Sequence, residues 1–313
     1  MFEVPAPEFS LQTSLSSGQT FRWFVVDGPS TRPVSAGLAR DSALSQEETG
    51  RRWYYGFLGQ SVVKVQQEGD RLWCQSADPA ITPNRIRHYF ALDLQLNDVL
   101  SSINVDMQIY QAIRQCRGLR VLRQDGWETL ASFICASFNN IKRIEGMIDR
   151  LCQAYGQPVG LNGFRGFSFP TPEAMARTSE RQLRALGLGY RAPYLRATAR
   201  LVVDGKLRID QIQQVDYDAA KQALLACDGV GDKVADCVAL FGFEKYEAFP
   251  IDVWMERAMR YYFRHRRMTR KLLHDYARRH FGPYAGYAQQ YLYHYVRTAR
   301  GNRGQPLLSS EHE

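Results

Sequence analysis

Three side chains in the second half of the chain have types and spacing suited to covalent chemistry. Lys233 follows a Gly-Val-Gly turn in "CDGVGDKVAD", Cys237 comes four residues later, and Asp252 follows a proline in "EAFPIDVW". A deprotonated amine is a nucleophile, and residues four apart share one helical face. A carboxylate beside such an amine can stabilise developing positive charge or transfer protons. These residues predict a nucleophilic lysine assisted by an aspartate.

The sequence around Lys233 and Asp252 predicts their protonation and local structure. Lys233 falls in the first turn of a predicted helix, where the positive end of the helix dipole disfavours an ammonium. We therefore expect Lys233 to lose its proton more readily than a surface lysine. Asp252 precedes another predicted helix and should cap it. The alternatives are a solvated surface lysine and a purely structural cap.

The Gly-Val-Gly turn predicts a contact with an anion. In "YDAAKQALLACDG" and "KVADCVALFGF" apolar residues recur at helical spacing, which predicts a helix-hairpin-helix over 219–241. Gly229 and Gly231 permit close backbone approach, and amide groups at such a turn attract phosphate. We expect Gly229, Val230 and Gly231 to bind a DNA phosphate. The carbonyls ending the first helix are candidate ligands for a structural cation.

Composition favours a polyanionic partner and argues against a secreted or membrane protein. The 313 residues carry 40 Lys+Arg against 32 Asp+Glu, a net charge of +8, which favours nucleic acid over acidic lipid. The six cysteines form no CxxC pair, and "MFEVPAPEFS" lacks signal-peptide features. No apolar run reaches a membrane-spanning length of about 18 residues. We expect a soluble, intracellular, DNA-associated monomer.

The chain divides into a β-rich part and a helical part. Residues 1–105 contain aromatic and β-branched runs, and "SVVKVQQEGDRLWCQS" predicts two strands around a Glu-Gly-Asp turn. Residues 28–50 are polar and aperiodic, which predicts a mobile surface loop. Helical periodicity dominates 106–300, and 301–313 is expected to be an exposed tail. The fold class is α+β, with an antiparallel sheet followed by helices.

Longer motifs then identify a family resemblance. The segment "LLACDGVGDKVADCVALFGFEKYEAFPIDVW" resembles the helix-hairpin-helix and catalytic aspartate of base-excision DNA glycosylases, and more narrowly the 8-oxoguanine DNA glycosylases. The motifs "SGQTFRW", "RVLRQDGWETLASFICASFNNIKRI", "LGLGYRAPYL" and "FGPYAGYAQQYLYH" extend the resemblance over most of the chain. It implies an antiparallel sheet resembling half of the TATA-binding fold, joined to a helical bundle.

The resemblance implies a reaction on double-stranded DNA that contains oxidised guanine. The damaged nucleotide is extruded because the atom to be attacked is buried in the stack. Lys233 would attack the sugar C1′ and release 8-oxoguanine, preferably from opposite cytosine, leaving a Schiff base. β-Elimination from that intermediate would nick the strand. Asp252 would stabilise the cationic sugar and assist proton transfer, and no cofactor is required.

The resemblance also implies a base pocket and a set of opposite-strand contacts. The Gly18 carbonyl would accept a hydrogen bond from N7–H, Gln289 would bind the Watson–Crick edge, and Cys237 and Tyr293 would sandwich the base. Four further residues match positions that fill the vacated stack and hold the orphaned cytosine: Asn139, Arg143, Tyr190 and Arg191.

The chain departs from the family pattern at three of these positions. Phe138 stands where the family often has the first of three asparagines, which contacts the orphaned cytosine. Trp254 replaces a histidine that contacts phosphate, and Tyr293 replaces a phenylalanine. The basic, aromatic stretch 260–280 is a candidate for further phosphate contacts.

Two alternatives remain open from the sequence. One is a noncatalytic helix-hairpin-helix module that only binds DNA. Such a module would not need a lysine and an aspartate that face one cavity. The other is a glycosylase of the same superfamily with a different lesion specificity. Monofunctional alkyl-base enzymes lack the hairpin lysine. The branches with an iron–sulfur cluster commonly carry four clustered cysteines after the catalytic domain, whereas no cysteine follows Cys237 here.

Overall fold

A computed structural model of the chain describes residues 1–26, 34–35, 52–262 and 269–302. The loop predicted at 28–50, apart from residues 34 and 35, lies outside this description, as do residues 263–268 of the basic stretch and nearly all of the predicted tail. The division of the chain at residue 105 stays a prediction.

The amino-terminal part forms an antiparallel sheet, as predicted. Its spatial order is β1-β6-β5-β4-β2-β3, and every neighbouring pair is antiparallel. The strands are β1 (Phe2–Pro5), β2 (Trp23–Val26), β3 (Val34–Ser35), β4 (Trp53–Leu58), β5 (Ser61–Glu68) and β6 (Arg71–Ser76). The predicted Glu-Gly-Asp turn joins β5 to β6, with Gly69 at φ 55°.

The remainder is mostly helical. The helices are α1 (Leu11–Ser16), α2 (Pro83–Tyr89), α3 (Leu96–Ile103), α4 (Met107–Gln115), α5 (Gly126–Ala136), α6 (Ile141–Tyr155), α7 (Pro172–Arg177), α8 (Glu180–Ala185), α9 (Arg191–Val203), α10 (Ile209–Gln214), α11 (Tyr217–Leu225), α12 (Asp232–Phe243), α13 (Val253–Tyr262), α14 (Arg270–Phe281) and α15 (Ala285–Asn302). Within the described ranges, no helix is both long and apolar enough to cross a membrane.

A β-hairpin interrupts the part predicted to be helical. Strands β7 (Pro158–Leu161) and β8 (Phe164–Phe167) pair through an Asn162-Gly163 turn, with φ values of 49° and 84°. Asn-Gly with both residues at positive φ matches the two-residue hairpin turn, and this signal could have predicted the hairpin. The Phe164 ring stacks on Tyr55 of β4, with centroids 4.7 Å apart, so the hairpin covers one face of the sheet.

The helical core packs around α12, the helix that carries Lys233 and Cys237. On its inner face Phe241 stacks on Phe133 of α5, with ring centroids 5.7 Å apart. The helix is buried over most of its length, from Val234 to Phe243. Its amino-terminal turn is therefore held by a large hydrophobic contact, and the side chains on that turn have well-defined surroundings.

A buried carboxylate on α12 ties that helix to α11 and α14. Asp236 is 1% exposed and accepts hydrogen bonds from Tyr217 (2.6 Å) and Lys221 (3.2 Å), and its Oδ2 lies 3.2 Å from His274 Nε2. Burial raises the pKa of this carboxyl, but His274 and Lys221 outweigh burial and the net direction is down. Asp236 is therefore ionised and charge-compensated, with donors from both neighbouring helices.

Replacing Asp236 should cost much of the stability of the fold. We expect Asp236→Ala to lower the free energy of unfolding by about 3–5 kcal/mol, because it removes the buried carboxylate that pairs with the partly buried Lys221 and His274. Urea denaturation followed by circular dichroism measures the change. The control is Asp218→Ala. Asp218 is exposed and pairs with Arg278 at 3.3 Å, so this substitution should lower the free energy of unfolding by less than about 1 kcal/mol. Equal losses in the two variants would contradict this account.

Candidate active site

The predicted helix-hairpin-helix is present, and one of its glycines is required by sterics. Helix α11 ends at Leu225 and α12 begins at Asp232. Gly229 has φ 79°, and a Cβ there would lie 2.4 Å from the Tyr194 ring of α9. Gly231 is the extended N-cap of α12, at φ −96°, and a Cβ there would meet nothing within 4 Å. The turn thus packs on α9 at Gly229 and leaves open space at Gly231.

The first turn of α12 offers unpaired amides on an open surface. Within the described residues, no side chain caps this helix. The first amide groups of a helix have no partner inside it, and they carry the positive end of the helix dipole. The hairpin can therefore accept a phosphate through Gly231 and the residues after it.

Lys233 lies in a partly dry site beside both of its predicted partners. Its Nζ lies 5.1 Å from the centroid of the Phe133 ring, and its interaction with Cys237 raises the pKa of the ammonium. The charge of Asp252 acts on both Lys233 and Cys237. The amine, the thiol and the carboxylate thus influence one another electrostatically, and their joint role in catalysis stays a prediction.

The predicted protonation state of Lys233 is wrong for the free protein. Burial lowers the pKa of the ammonium, but Cys237 and Asp252 act in the opposite sense, and the net direction is up. The helix dipole favours loss of the proton, and Cys237 and Asp252 oppose it. Lys233 is consequently an ammonium at neutral pH in the free protein, and a proton must leave before the nitrogen can attack a carbon.

Asp252 caps α13, as predicted. Its Oδ1 accepts the Met255 amide hydrogen at 2.7 Å, and its carbonyl accepts from Glu256 at 2.8 Å. The cap fixes the carboxylate at the start of the helix. A carboxylate oriented in this way can stabilise a cation without reorganising.

Lys233 also lines a polar cavity of about 450 Å³ between α11, α12 and α14. Asp236, His274 and Ile251 share this lining, whereas Gly18, Gln289 and Tyr293 do not. The cavity is therefore separate from the predicted base pocket.

Gly18 and Tyr293, two predicted base-pocket residues, are in contact. Gly18 has φ 81°, and a Cβ there would lie 3.4 Å from Tyr293 Cε1 and 3.2 Å from Arg297 Nη1. The charges of Lys233, Cys237 and Asp252 all influence the pKa of Tyr293, which burial raises. Gly18 and Tyr293 therefore lie in the same neighbourhood as Lys233. The predicted sandwich of a base between Cys237 and Tyr293 stays a prediction.

Gln289 presents an unused acceptor one helical turn before Tyr293. The residue is 5% exposed, and its Oε1 has no hydrogen-bond partner among the described residues. A buried polar atom without a partner costs about 1–3 kcal/mol. Such an atom is open to a donor from water or from a bound ligand.

The four predicted opposite-strand residues lie around the loop between α5 and α6, in which Ser137 caps the end of α5 and Asn140 caps the start of α6. Arg191 is 8% exposed and donates from Nε to the Ser137 carbonyl at 3.0 Å, and the Tyr190 hydroxyl donates to the same carbonyl at 3.1 Å. Asn139 lies 4.0 Å from the Met147 sulfur, and Arg143 is exposed on the first turn of α6. In the free protein Arg191 thus holds a loop, and its contact with a base stays a prediction.

Three residues at the site were missed from the sequence. Phe133 lies beneath Lys233, Tyr194 lies against Gly229, and Arg297 donates to the Ser16 carbonyl at 3.1 Å beside Gly18. Arg297 follows Gln289 and Tyr293 at four-residue spacing, which is a usable signal. Phe133 and Tyr194 are indistinguishable from core residues in the sequence. The Trp254 side chain lies outside the described residues.

Comparison with known proteins agrees with this geometry. Residues 1–130 match the model of the 8-oxoguanine DNA glycosylase amino-terminal domain, and residues 131–281 match the HhH-GPD superfamily of base excision DNA repair proteins. A probable N-glycosylase/DNA lyase of Methanothermobacter thermautotrophicus is 33% identical over 318 residues, covering 95% of this chain and 96% of that protein. An N-glycosylase/DNA lyase of Saccharomyces cerevisiae is 32% identical, covering 80% of this chain and 67% of that protein.

A solved structure gives the same result. The 8-oxoguanine glycosylase/lyase of Clostridium acetobutylicum, bound to double-stranded DNA with cytosine opposite 8-oxoguanine, superposes with a TM-score of 0.81 at 28% identity. The superposition covers 93% of each chain. With both family models and two relatives above 30% identity in agreement, the chain belongs to the 8-oxoguanine DNA glycosylase family of helix-hairpin-helix base-excision repair proteins.

Proposed function

We propose that this protein is a bifunctional DNA glycosylase and lyase that removes 8-oxoguanine from double-stranded DNA in base excision repair. The observation that carries the proposal is the partly buried Lys233 ammonium, whose pKa Cys237 and Asp252 both raise, beside a hairpin with open amide groups. An amine in this setting can act as a nucleophile once DNA supplies the electrophile.

The proposed reaction has two stages, release of the base and cleavage of the strand. After Lys233 loses a proton, its nitrogen forms a bond to C1′ as the bond from C1′ to the base breaks, and the base leaves with that electron pair and gains a proton. Ring opening gives a Schiff base. Loss of a proton from C2′ then expels the 3′ phosphate, which cuts the strand, and water releases the lysine. Asp252 stabilises the cationic sugar in the first step.

Base recognition would use Gly18 and Gln289. The N7–H of 8-oxoguanine can donate to the Gly18 carbonyl, whereas N7 of guanine is an acceptor and leaves that carbonyl unpaired. The unpartnered Oε1 of Gln289 suits the N–H donors on the Watson–Crick edge. Each unmade bond of this kind disfavours the wrong base by about 1–3 kcal/mol.

The remaining features concern the DNA and the quaternary state. Double-stranded DNA would bind with a phosphate on the hairpin at Gly229, Val230 and Gly231, and cytosine would be preferred opposite the lesion through Arg143 and Arg191. The protein would act as a monomer associated with DNA and need no cofactor. A cation at the last carbonyls of α11 stays a prediction.

A noncatalytic DNA-binding module is the competing proposal, and the surroundings of Lys233 weigh against it. A module that only binds phosphate gains nothing from placing the Lys233 amine beside the buried Cys237 thiol, because removing an ammonium from water is unfavourable.

A lesion panel tests the proposed function. Matched duplexes would carry 8-oxoguanine, guanine, an alkylated adenine or a normal adenine at one site, and single-turnover excision would be followed with and without later alkali. We expect release of 8-oxoguanine, strand cleavage without alkali, and no release of guanine. Preferential release of the alkylated base would assign the protein a different lesion. Binding without release from any duplex would indicate a DNA-binding module.

Enlarging Gly18 should block the base pocket. Its backbone is at φ 81°, and a Cβ would contact Tyr293 and Arg297, so we expect Gly18→Val to reduce single-turnover excision of 8-oxoguanine by roughly 10-fold or more. Gly205→Val is the control, because Gly205 is also at positive φ (70°) but has open space around it. Full activity in Gly18→Val would contradict the pocket assignment.

A further inference from the structure

Two side chains of α15 hold the carbonyls that precede Gly18. Gln290 Nε2 donates to the Ser17 carbonyl at 2.9 Å, and Arg297 Nη1 donates to the Ser16 carbonyl at 3.1 Å. Gln290 is 2% exposed, so its hydrogen bond is shielded from water. The two donors lie seven residues apart, which places them on one face of the helix. Helix α15 therefore fixes the backbone up to the residue before Gly18.

Residues outside α15 hold the chain directly after Gly18. Gln124 Nε2 donates to the Gln19 carbonyl at 2.7 Å. The Gln19 side chain is itself buried, and it donates to the Arg120 carbonyl at 2.9 Å and accepts the Leu122 amide hydrogen at 2.7 Å. The segment before α5 thus fixes the residue after Gly18 through both its backbone and its side chain.

The Gly18 carbonyl is open between these anchored neighbours. Among the described residues, none donates a hydrogen bond to it. Gly18 is also the only residue in the range 14–23 that is not buried. Backbone carbonyls in folded proteins are nearly always paired, so an accessible one between satisfied neighbours is suited to a ligand that carries an N–H.

The orientation of one peptide group determines what this loop offers to a base. The Gly18 carbonyl and the Gln19 N–H belong to the same planar peptide group and point in opposite directions. Rotating that group by half a turn would replace the acceptor with a donor. Glycine permits such a rotation because it lacks a Cβ. Gly18 by itself therefore does not fix the direction of its carbonyl, and the neighbouring hydrogen bonds must do so.

We propose that Gln290 and Gln124 are positioning residues for lesion recognition, which hold the carbonyls on either side of Gly18 and so keep its own carbonyl directed at the base. This inference rests on the proposed function, in which that carbonyl accepts the N7–H of 8-oxoguanine. Neither glutamine contacts the base in this role. With the peptide group fixed, N7 of guanine meets an acceptor and is rejected. With the group free to rotate, the Gln19 N–H can pair with N7 of guanine, and discrimination is lost.

The test uses one variant on each side of Gly18 and a matched control. Gln290→Met and Gln124→Met each remove a carbonyl donor and keep a side chain of similar length. The control is Gln67→Met, because the Gln67 amide donates to the Phe9 carbonyl at 2.6 Å, at the opposite end of α1 from Gly18. Circular dichroism would establish that each variant is folded at the assay temperature.

Binding isolates the contact with N7–H. In a Lys233→Gln background, which prevents turnover, each protein would be titrated with duplexes that carry 8-oxoguanine or 7-deaza-8-oxoguanine opposite cytosine. The two bases share O8 and the Watson–Crick edge, and only 8-oxoguanine has an N–H at position 7. We expect the background protein to prefer 8-oxoguanine by roughly 5- to 150-fold, the value of one hydrogen bond. Gln290→Met and Gln124→Met should lose most of that preference, and Gln67→Met should keep it.

Rates separate positioning from stability. With Lys233 present, Gln290→Met and Gln124→Met should excise 8-oxoguanine roughly 10- to 100-fold more slowly, as expected for a small misplacement of the base. Both variants should cleave a preformed abasic site within about threefold of the parent rate, because no base occupies the pocket in that substrate. Equal losses in excision and abasic cleavage, or an unchanged binding preference, would show a purely structural role and overturn the proposal.

The outcomes distinguish this inference from the proposed function. If the parent excised 8-oxoguanine and both glutamine variants kept the preference for it, the positioning role would fail and the proposed function would stand. If the parent excised no 8-oxoguanine but the binding preference depended on Gln290 and Gln124, the positioning role would stand and the glycosylase assignment would fail. A background protein with no preference would overturn the positioning role whatever the excision result.

Discussion

Replacing Lys233 with glutamine should reduce single-turnover excision of 8-oxoguanine by at least roughly 1,000-fold, because the substitution replaces the proposed nucleophilic amine with an amide that is not a nucleophile. Glutamine fills similar space and can still donate to Cys237, so the fold and DNA binding should persist. The measurement is release of the base from a 5′-labelled 8-oxoguanine·cytosine duplex with enzyme in excess.

The matched control is Lys206→Gln, which removes an equal charge from a side chain that is 70% exposed. This variant should excise at the rate of the parent at constant ionic strength. If Lys233→Gln retained more than about a tenth of the parent rate, water or another amine would be the nucleophile, and the role given to Lys233 would be wrong.

Replacing Asp252 with asparagine should slow excision by roughly 100- to 1,000-fold, the range for losing one preorganised electrostatic group at a reacting centre. Asparagine is also a good N-cap residue, so the hydrogen bond from the Met255 amide at 2.7 Å can be kept. The substitution thus removes the charge while retaining the cap. Single-turnover excision and the melting temperature would be measured together, and the latter should change little.

The direction of this effect distinguishes two roles for Asp252. The carboxylate raises the pKa of Lys233, so Asp252→Asn should lower that pKa and increase the fraction of free amine at neutral pH. If amine deprotonation alone limited the rate, the variant would be faster than the parent. We expect a slower variant, because the cationic sugar loses its stabilising charge. If the Asp252→Asn variant were faster than the parent, the role of Asp252 would be limited to capping α13.

Much of the fold, and the positions of the proposed catalytic residues Lys233 and Asp252 in it, could be predicted because local patterns encode them. The apolar periodicity on both sides of the Gly-Val-Gly turn defines α11 and α12, and the four-residue spacing brings Lys233 to Cys237. Pro250 followed by Asp252 signals the start of α13. These features depend on backbone sterics and helix geometry, which a short segment determines by itself.

The pKa of Lys233 could not be predicted from such local patterns. The helix dipole at the first turn of α12 is visible in the sequence, and it disfavours an ammonium. The opposing contributions come from Cys237, one helical turn away, and from Asp252, nineteen residues further along the chain than Lys233, and their strength depends on distance and burial in the folded protein. Only the tertiary structure determines which contribution is larger.

The environment of the α5–α6 loop also required the structure. The sequence places Phe138 beside Asn139, but it does not show that the ring is exposed, that its φ is positive, or that Arg191 holds the carbonyls beside it. Arg191 lies more than fifty residues later in the chain, so this contact is long-range. The family resemblance predicts that Arg191 contacts the opposite strand, and the structure adds that its side chain supports the α5–α6 loop in the free protein.

The most direct test of the account is to identify the atom that bonds to DNA. The protein would be incubated with an 8-oxoguanine·cytosine duplex and sodium borohydride, which reduces a Schiff base to a stable amine. The adduct would then be digested with protease and nuclease, and the modified peptide would be sequenced by mass spectrometry. We predict a single modified residue, Lys233. An adduct at another amine, or base release with no adduct, would contradict the central role of Lys233.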